Sequence, residues 1–455
     1  MAHPGVIGSH IADMRTMKFR VKGKRVKTLK QLAPLAALGV AALALGGCTA
    51  GGETGSSGIG QPGATDISGT VTFWHAFSTD STEVATLEDV LIPAFEDRFP
   101  DVDVKAVAVP YDELHQKLIT AVAGDQLPDL VRADIIWVPE LAELGVLEPL
   151  SASMPDFQEI ADKVFPGPLA TNRWKGEYYG LPLGTNTRVT MYNADVFAAA
   201  GVEVPATFEE LLAAAPALKA AGAYAFADNG ASGWNVLPWI WSAGGDIVDP
   251  DVTKASGYLN SPESVAGVQM LVDLYQGGYL PPIILGDAGG LSTSDGLVQG
   301  DYATIYDGPW MYPIFAGQYP DFELHDAPVF AGAGGSISVV GGEDVVLTSS
   351  SQNKAAAAEF LRYLLSEEAQ LAMAKVGVMP VLSGLGSDLT GINPNFATFV
   401  EQLANARPRP ATPAWPKIDA LIQDEIRAAI RGDKTVQEAL DDAAKQADEL
   451  LAEYN

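Results

Sequence analysis

From Ile67 onward the chain alternates between short β-rich runs and longer stretches with helical apolar spacing. GTVTFWHAF is β-rich, VATLEDVLIPAFEDRFP has helical spacing, and VDVKAVAVP alternates like a strand. The segment YDELHQKLITAVAG is helical again and stops near Gly124, and LVRADI is typical of a buried strand. This order of elements predicts an α/β fold with a central sheet flanked by helices.

A second α/β region follows the first. Thr207 to Glu210 are predicted as a capping box, and Pro262 as the first residue of another helix. NKAAAAEFLRYLLSEEAQLAMAKVG is predicted as one long amphipathic helix, and the chain ends in helical segments. Because 455 residues exceed what a single core usually holds, at least two lobes are expected.

Charge is spread unevenly along the chain. The first 47 residues carry eight of the 28 basic residues and one of the 57 acidic ones, so the remainder has a net charge of −36. A surface of this sign repels phosphate backbones, which disfavours nucleic-acid binding. A neutral ligand is compatible with this field, whereas an anionic ligand would need a local basic pocket.

The amino terminus has the pattern of a bacterial lipoprotein signal. A basic segment over residues 18–30 precedes LAPLAALGVAALAL, which at 14 residues is too short to span a membrane. Leu45-Gly46-Gly47-Cys48 resembles a lipobox, in which the cysteine is lipidated and becomes the new amino terminus. Residues 1–47 are therefore predicted as a signal peptide. An ordinary secretory peptide with an incidental cysteine is the alternative.

Residues 48–65 are rich in Gly, Ser and Thr, which predicts a flexible tether between the lipid and the folded part. Cys48 is the only cysteine, so no disulfide within the chain and no cysteine-built metal site is expected. No cofactor or metal is predicted.

Six segments, in order, resemble the extracellular solute-binding proteins of family 1, the maltose-binding-protein-like sugar-binding partners of ABC importers. They are TFWHAF, GDQLPDLVRADIIWVPELAELGVLEPL, KGEYYGLPLGTNTRVTMYNADVF with VPATFEELLAAAPAL, QGDYATIYDGPWMYPIF, VVGGEDVVLTSSSQNKAAAAEFLRYLLSEEAQ and AIRGDKTVQEALDDAAKQADELL. The resemblance implies a type II periplasmic-binding-protein-like fold, whose two α/β lobes close by hinge bending around a ligand.

The same resemblance implies that the chain crosses between the lobes near Gly184–Thr187, near Gly341–Glu343 and about residue 393. The N-terminal lobe is then expected to hold residues 66–184 and 344–392. The C-terminal lobe is expected to hold residues 187–341 and 394–455.

Aromatic side chains are candidates for packing against the apolar faces of a sugar. Trp74, His75 and Phe77 lie at and just after the end of the first strand, and Trp137 follows LVRADI, where open α/β sheets bind ligands. Trp310 lies in Gly-Pro-Trp, whose tryptophan stacks on a sugar ring in the family. Trp234 and Trp241 lie in the aromatic segment SGWNVLPWIWSAGGD. For each ring, packing in a core or on the surface is the alternative.

Polar candidates for the sugar hydroxyls are Asp134, Asn186, Glu343 and Arg409, with Gly342 allowing close backbone approach or hinge motion. Asn186 could instead stabilise a turn, and Glu343 could be a solvated turn carboxylate. Arg409 is preferred to Arg407 as the ligand-contacting arginine of the family. Gly184 departs from relatives that carry a side chain able to contact ligand there.

Four functions compete at this point. The leading prediction is a monomeric, lipid-anchored binding protein on the extracytoplasmic face of the membrane, which passes a neutral disaccharide or short oligosaccharide to an ABC permease. A binder of a phosphorylated molecule such as glycerol phosphate needs a basic pocket, for which Arg188, Arg407 and Arg409 are the visible contributors. A secreted glycosidase is disfavoured by the absence of catalytic motifs. A purely structural lipoprotein is disfavoured by the aromatic segments.

Overall fold

The computed structural model describes residues 58–77, 81–286 and 291–454, and the side chains of residues 386–388 are outside the description. The predicted signal peptide, Cys48 and most of the predicted tether lie outside these ranges. The strands are β1 Gly69–His75, β2 Val102–Ala108, β3 Leu130–Asp134, β4 Arg173–Trp174, β5 Glu177–Tyr178, β6 Gly180–Thr187, β7 Val189–Tyr192, β8 Thr304–Asp307, β9 His325–Ala327, β10 Ser338–Leu347 and β11 Ala406–Arg407.

Helices surround these strands. They are α1 Thr82–Thr86, α2 Ile92–Arg98, α3 Tyr111–Gly124, α4 Val138–Glu143, α5 Leu150–Ser153, α6 Phe157–Ala161, α7 Pro166–Ala170, α8 Ala194–Ala200, α9 Phe208–Ala220, α10 Gly233–Ser242, α11 Pro262–Gln276, α12 Thr293–Gln299, α13 Met311–Gln318, α14 Lys354–Leu364, α15 Glu367–Ala374, α16 Leu389–Ile392, α17 Ala397–Leu403, α18 Trp415–Arg431 and α19 Val436–Leu451. A π-helical turn spans Leu87–Leu91, and 3₁₀ turns span Pro282–Leu285, Ser383–Asp388 and Pro394–Phe396. No described helix is long and apolar enough to cross a membrane.

The larger sheet has the order β11-β10-β3-β1-β2, with β6 also paired to β10. β1 runs parallel to β2 and β3, whereas β10 is antiparallel to β3. Alternate residues of β1 point to opposite faces, so Val71 and Phe73 enter one core while Trp74 packs beside another. The first lobe therefore has a hydrophobic core on each face of its sheet, as the alternating sequence predicted.

The second lobe is built largely from helices. α10, α11, α18 and α19 enclose a large core that contains Trp239, Trp241 and Trp415. A smaller sheet, in the order β8-β7-β9, supports this core and a neighbouring one that includes Phe315 and Phe399.

Helix ends explain where the predicted boundaries hold and where they fail. Pro262 begins α11 after the cap Ser261, as predicted. Thr207 accepts from the Glu210 amide, but the Glu210 carboxylate accepts from Ala206 instead of completing the predicted box. The predicted long helix after residue 352 is two helices, because Ser366 caps a new start and accepts from the Ala369 amide.

β6 and β10 contain two of the predicted lobe crossings. The predicted crossings pair with each other, Thr185 opposite Gly342 and Gly184 opposite Glu343, and a bulge follows between Glu343 and Asp344. Gly342 has a φ of 139°, which disfavours any other residue. The division of the chain between the lobes stays a prediction, and the terms first lobe and second lobe refer to that predicted division.

Candidate functional site

Charged side chains of both lobes meet where β3 ends and the chain leaves β11. Arg409 donates from Nη2 to Asp134 Oδ1 at 3.1 Å, and both side chains are buried. The Tyr111 hydroxyl donates to Asp134 Oδ2 at 2.6 Å, and the Ile136 amide donates to Oδ1 at 3.0 Å. Tyr111 as a whole residue is 46% exposed, whereas burial raises the pKa of its hydroxyl well above the usual range. The polar contacts are therefore buried beneath a residue that reaches the surface.

A second ion pair lies on the first lobe beside this group. Arg132 pairs with Glu343 at 2.6 Å and stacks on the Phe77 ring at 3.9 Å from its centroid. Burial raises the pKa of Glu343 above its usual range, with Arg132 acting in the opposite direction. Burial also raises the pKa of Glu83, which lies within the field of Arg132.

A third ion pair lies on the second-lobe side of the junction. We call this side the second-lobe wall; it contains Arg188, Asp228, Trp234, Asp307 and Trp310. Arg188 forms a two-pronged pair with Asp228, with both N–O distances at 2.9 Å. The same guanidinium donates to the carbonyl oxygens of Trp234, at 3.1 Å, and of Tyr306. Arg188 therefore fixes the start of α10, which carries Trp234, against the end of β8.

Two indole rings lie together on this wall. The centroids of Trp234 and Trp310 are 6.2 Å apart, and the ring planes are inclined by 32°. Glycines make room for both: a Cβ on Gly341 would lie 2.7 Å from the Trp234 ring, and one on Gly308 would overlap the Trp310 ring. Both rings are only partly buried, so they offer apolar surface at the junction of the lobes.

Several polar atoms around the rings have no hydrogen-bond partner. Among the described side chains these include Asn186 Oδ1, Arg188 Nε and Arg409 Nε, all buried. A hypothetical Cβ on Gly341 would also overlap Asn186 Oδ1, so this oxygen lies beside the Trp234 ring. Buried polar groups normally have partners, and unpaired ones at a site are typical of positions where a ligand supplies the bond.

Asp307 completes the second-lobe wall. Burial raises the pKa of its carboxyl to about 6, against the opposing effect of Arg188. Its Oδ1 accepts from the Gly308 amide at 2.8 Å. The nearby Trp310 side chain lowers the pKa of the same carboxyl slightly. The carboxylate therefore lies directly beside the indole pair.

The family becomes evident at this point. Residues 78–371, well over half of the chain, match the family described as bacterial extracellular solute-binding protein. The chain belongs to this family. The fold is the two-lobed type II periplasmic-binding-protein fold, and the chain is a solute-binding protein of the ABC-transporter class.

Individual relatives of this solute-binding protein differ in their ligands. The binding protein BAB2_0491 of Brucella abortus is 26% identical over 79% of this chain and 88% of its own length. UgpB of Escherichia coli K12, an sn-glycerol-3-phosphate-binding periplasmic protein, is 29% identical over 61% of this chain and 68% of its own. The GacH receptor of Streptomyces glaucescens, solved with acarbose, is 26% identical with a TM-score of 0.76, covering 86% of this chain and 100% of its own.

The predicted site residues divide into two groups in this solute-binding protein. Seven lie at the junction of the lobes or border it: Asp134, Asn186, Trp234, Trp310, Gly342, Glu343 and Arg409. The five that remain pack in or against hydrophobic cores: Trp74, His75, Phe77, Trp137 and Trp241. Of these five, Phe77 contacts Arg132 and Trp137 stacks on Tyr111, so both support site residues from the core side.

The second group has clear packing partners. Trp241 is 2% exposed in the second-lobe core and donates to Asp246 at 3.2 Å. Trp137 is buried against Tyr111 and His115, and Trp74 faces α3, where Lys117 lies 4.2 Å from its ring centroid. His75 is fully buried, and burial lowers its pKa to about 4. Of the five candidate tryptophans, only Trp234 and Trp310 lie at the junction.

Sequence reasoning missed several residues that border the site, namely Glu83, Tyr111, Arg132, Asp307 and Asp419. Tyr111 and Asp307 each stand at or just after the end of a strand, the same signal that singled out Asp134. Asp419 lies on α18 and accepts from the Gly233 amide at 2.5 Å. No local pattern marks it, because only the fold brings α18 to α10.

Proposed function

We propose that this protein captures a sugar that carries no phosphate or other anionic group and delivers it to the permease of an ABC importer. One observation carries the proposal. The partly exposed Trp234–Trp310 pair lies at the lobe junction among guanidinium groups that are each already paired with a carboxylate.

The chemistry of a sugar fits this surface. Indole faces pack against the C–H faces of a pyranose, and carboxylate and amide oxygens accept from its hydroxyls. Asn186 Oδ1 is an unused acceptor, and Arg409 Nε is an unused donor. Since sugar hydroxyls both donate and accept, a sugar can satisfy both atoms. The GacH receptor, which binds acarbose, supports the same ligand class.

Glycerol phosphate is the second candidate, because UgpB relatives bind it. Arg132, Arg188 and Arg409 already form ion pairs of 2.6, 2.9 and 3.1 Å with Glu343, Asp228 and Asp134. A phosphate would have to displace one of these carboxylates and then lie beside it. Like charges at such short range disfavour binding, so we place this candidate second.

A thermal-shift and calorimetric screen tests the proposal. The probes are maltose, trehalose, cellobiose, xylobiose and glycerol 3-phosphate. Binding of a neutral sugar that raises the melting temperature supports the proposal, because a ligand of the folded state stabilises it by mass action. Binding of glycerol 3-phosphate alone would move the assignment to the second candidate.

Trp310→Ala and its matched control sharpen the screen. Trp310→Ala is expected to weaken sugar binding at least about tenfold, since it removes one stacking face. Trp174 lies on the β4–β5 hairpin, far from both indoles in sequence, and is also partly buried. Its Nε1 donates a hydrogen bond to Glu143, so Trp174→Ala should leave sugar affinity unchanged. Equal loss in both variants would contradict the assigned site.

We also propose that Cys48 anchors the chain to the extracytoplasmic face of the membrane. The lipobox-like Leu45-Gly46-Gly47-Cys48 and the membership of an extracellular family support this. Labelled palmitate should enter the wild-type chain and not Cys48→Ser, which should be released from membranes. Equal labelling of both would contradict the anchor.

The protein is further proposed to act as a monomer and to bind without catalysis. Its family consists of binding proteins, which supports the second statement. Turnover of a chromogenic glycoside that one carboxylate substitution abolishes would contradict it. Light scattering with and without the sugar identified above tests the monomer.

A further inference from the structure

Carboxylates outnumber guanidinium groups at the lobe junction. The arginines are Arg132, Arg188 and Arg409, and the six acidic residues are Glu83, Asp134, Asp228, Asp307, Glu343 and Asp419. Each acidic residue either forms an ion pair with one of these arginines or has a pKa that one of them affects. Pairing Arg132, Arg188 and Arg409 uses three of the carboxylates. The other three form no ion pair within the described part of the chain.

These three surplus carboxylates are Glu83, Asp307 and Asp419. Burial is the main cause that raises the pKa of each, so their charged forms lack sufficient compensation in the protein alone. Solvated surface acids do not show this behaviour. The site therefore has a deficit of positive charge that a ligand can fill.

Asp307 is the surplus carboxylate best placed to contact a ligand. The Gly308 amide uses one of its acceptor positions, and a carboxylate has about four. It lies beside the partly exposed Trp234–Trp310 pair, whose faces also attract cations.

An independent observation points in the same direction. Asn186 Oδ1 is a pure acceptor without a partner, 8% exposed, and lies next to the Trp234 ring. Acceptors at this wall thus come from both a carboxylate and an amide. A group that donates several hydrogen bonds and carries positive charge satisfies both.

We propose that the preferred ligand is an amino sugar whose protonated amine binds between Asp307 and the Trp234–Trp310 pair. This inference rests on the proposed function and names the class of sugar. The ammonium forms an ion pair with the Asp307 carboxylate and a cation–π contact with an indole face. The remaining hydroxyls are recognised as in the preceding section.

Matched pairs of disaccharides test the inference by calorimetry at near-neutral pH. The first pair is cellobiose and its diamino analogue, the β-1,4-linked glucosamine dimer. The second pair is trehalose and 2-amino-trehalose. We expect at least one amine to bind about tenfold tighter than its parent, the gain of one partly desolvated cation–π and ion-pair contact. Added salt should weaken binding of the amino sugar and leave binding of the neutral parent sugar unchanged.

Asp307→Asn separates this contact from general charge. The substitution keeps the shape of the side chain, so the amine should lose its preference and bind within about threefold of its parent. Asp251→Asn, on the exposed surface of the second lobe, is the control and should keep the full preference.

The outcomes distinguish the two proposals. If no amine binds tighter than its parent, or if Asp307→Asn retains the preference, the inference is overturned while sugar binding stands. If no sugar in either this set or the earlier screen binds, both proposals fail.

Discussion

Arg409 and Asp134 form a buried ion pair of 3.1 Å that joins the segment after β11 to the end of β3. Both ends of the pair have further contacts, because Tyr111 donates to Asp134 and the Arg409 guanidinium lies 5.5 Å from the centroid of the Trp234 ring. A single interaction thus connects the first-lobe sheet to the indole wall of the second.

Arg409→Met should destabilise the protein because it leaves the Asp134 carboxylate buried without its cation. We expect a loss of about 3 kcal/mol in the free energy of unfolding, measured by urea denaturation. Arg407→Met is the matched control, since Arg407 pairs with Asp246 at 3.5 Å with both side chains about half exposed. It should cost less than about 0.5 kcal/mol. Equal losses would show that the buried pair has no special role.

Trp241→Ala and Trp310→Ala should separate stability from binding. Trp241 is buried in the second-lobe core, so its removal should cost about 3–5 kcal/mol of unfolding free energy. Trp310 is partly exposed, and its removal should cost less stability and more sugar affinity. Calorimetry and urea denaturation of both variants check this, and the reverse ranking would contradict the placement of the two rings.

Gly341→Ala should impair binding through the indole wall. A Cβ there would lie 2.7 Å from the Trp234 ring and overlap Asn186 Oδ1, so both side chains must move. We expect about tenfold weaker sugar binding and a loss of about 1–3 kcal/mol in stability. Gly317→Ala, where a Cβ would meet nothing within 4 Å, is the control. It should leave binding unchanged and should not lower stability, because Ala in α13 is favoured over Gly by up to about 1 kcal/mol.

Asp344 should make stability fall as pH rises. Burial raises its pKa well above the usual range, and its partners Asn172 and Thr171 are neutral. Asn172 Nδ2 donates to Asp344 Oδ1 at 2.7 Å, and the Thr171 hydroxyl lies 3.2 Å from Oδ2 and 2.7 Å from the Pro168 carbonyl oxygen. These neutral donors lower the pKa of Asp344, but burial has the larger effect.

The direction in which stability changes with pH follows from the raised pKa of Asp344. The unfolded chain releases the Asp344 proton near pH 4, whereas the folded protein holds it to higher pH. Stability is therefore highest below the unfolded pKa and declines as pH rises toward the folded pKa. Asp344→Asn should flatten this decline in urea denaturations across the acidic range. Because carboxyls with lowered pKa values act in the opposite direction, the difference between the two curves is the test. A variant whose stability changes with pH in the same way as wild type would contradict the neutral carboxyl.

Local patterns predicted the architecture well. Alternating residues identified β1, β2 and β3, and Gly124 marked the end of α3 because the chain turns left-handed at Asp125. The break between α14 and α15 was missed, since Leu365 and Ser366 do not interrupt the apolar periodicity that indicates a helix.

The site was predicted less completely, for a physical reason. Position at the end of a strand singled out both Asp134 and Trp74, but it does not show which side of the strand a residue faces. Asp134 contacts Arg409, whereas Trp74 faces α3 and Lys117. Asp419 and Gly341 act through contacts far apart in sequence, which no single-sequence pattern reveals.

The late position of β11 and α18 has a consequence for how the protein matures. β11 pairs with the start of β10, and α18 and α19 fill the second-lobe core, so that core stays incomplete until almost the whole chain is available. Because synthesis proceeds from the amino end, this half cannot finish folding before the last residues have been made. Contacts between segments so far apart in sequence also form slowly, which lengthens the time that the nascent chain spends incompletely folded.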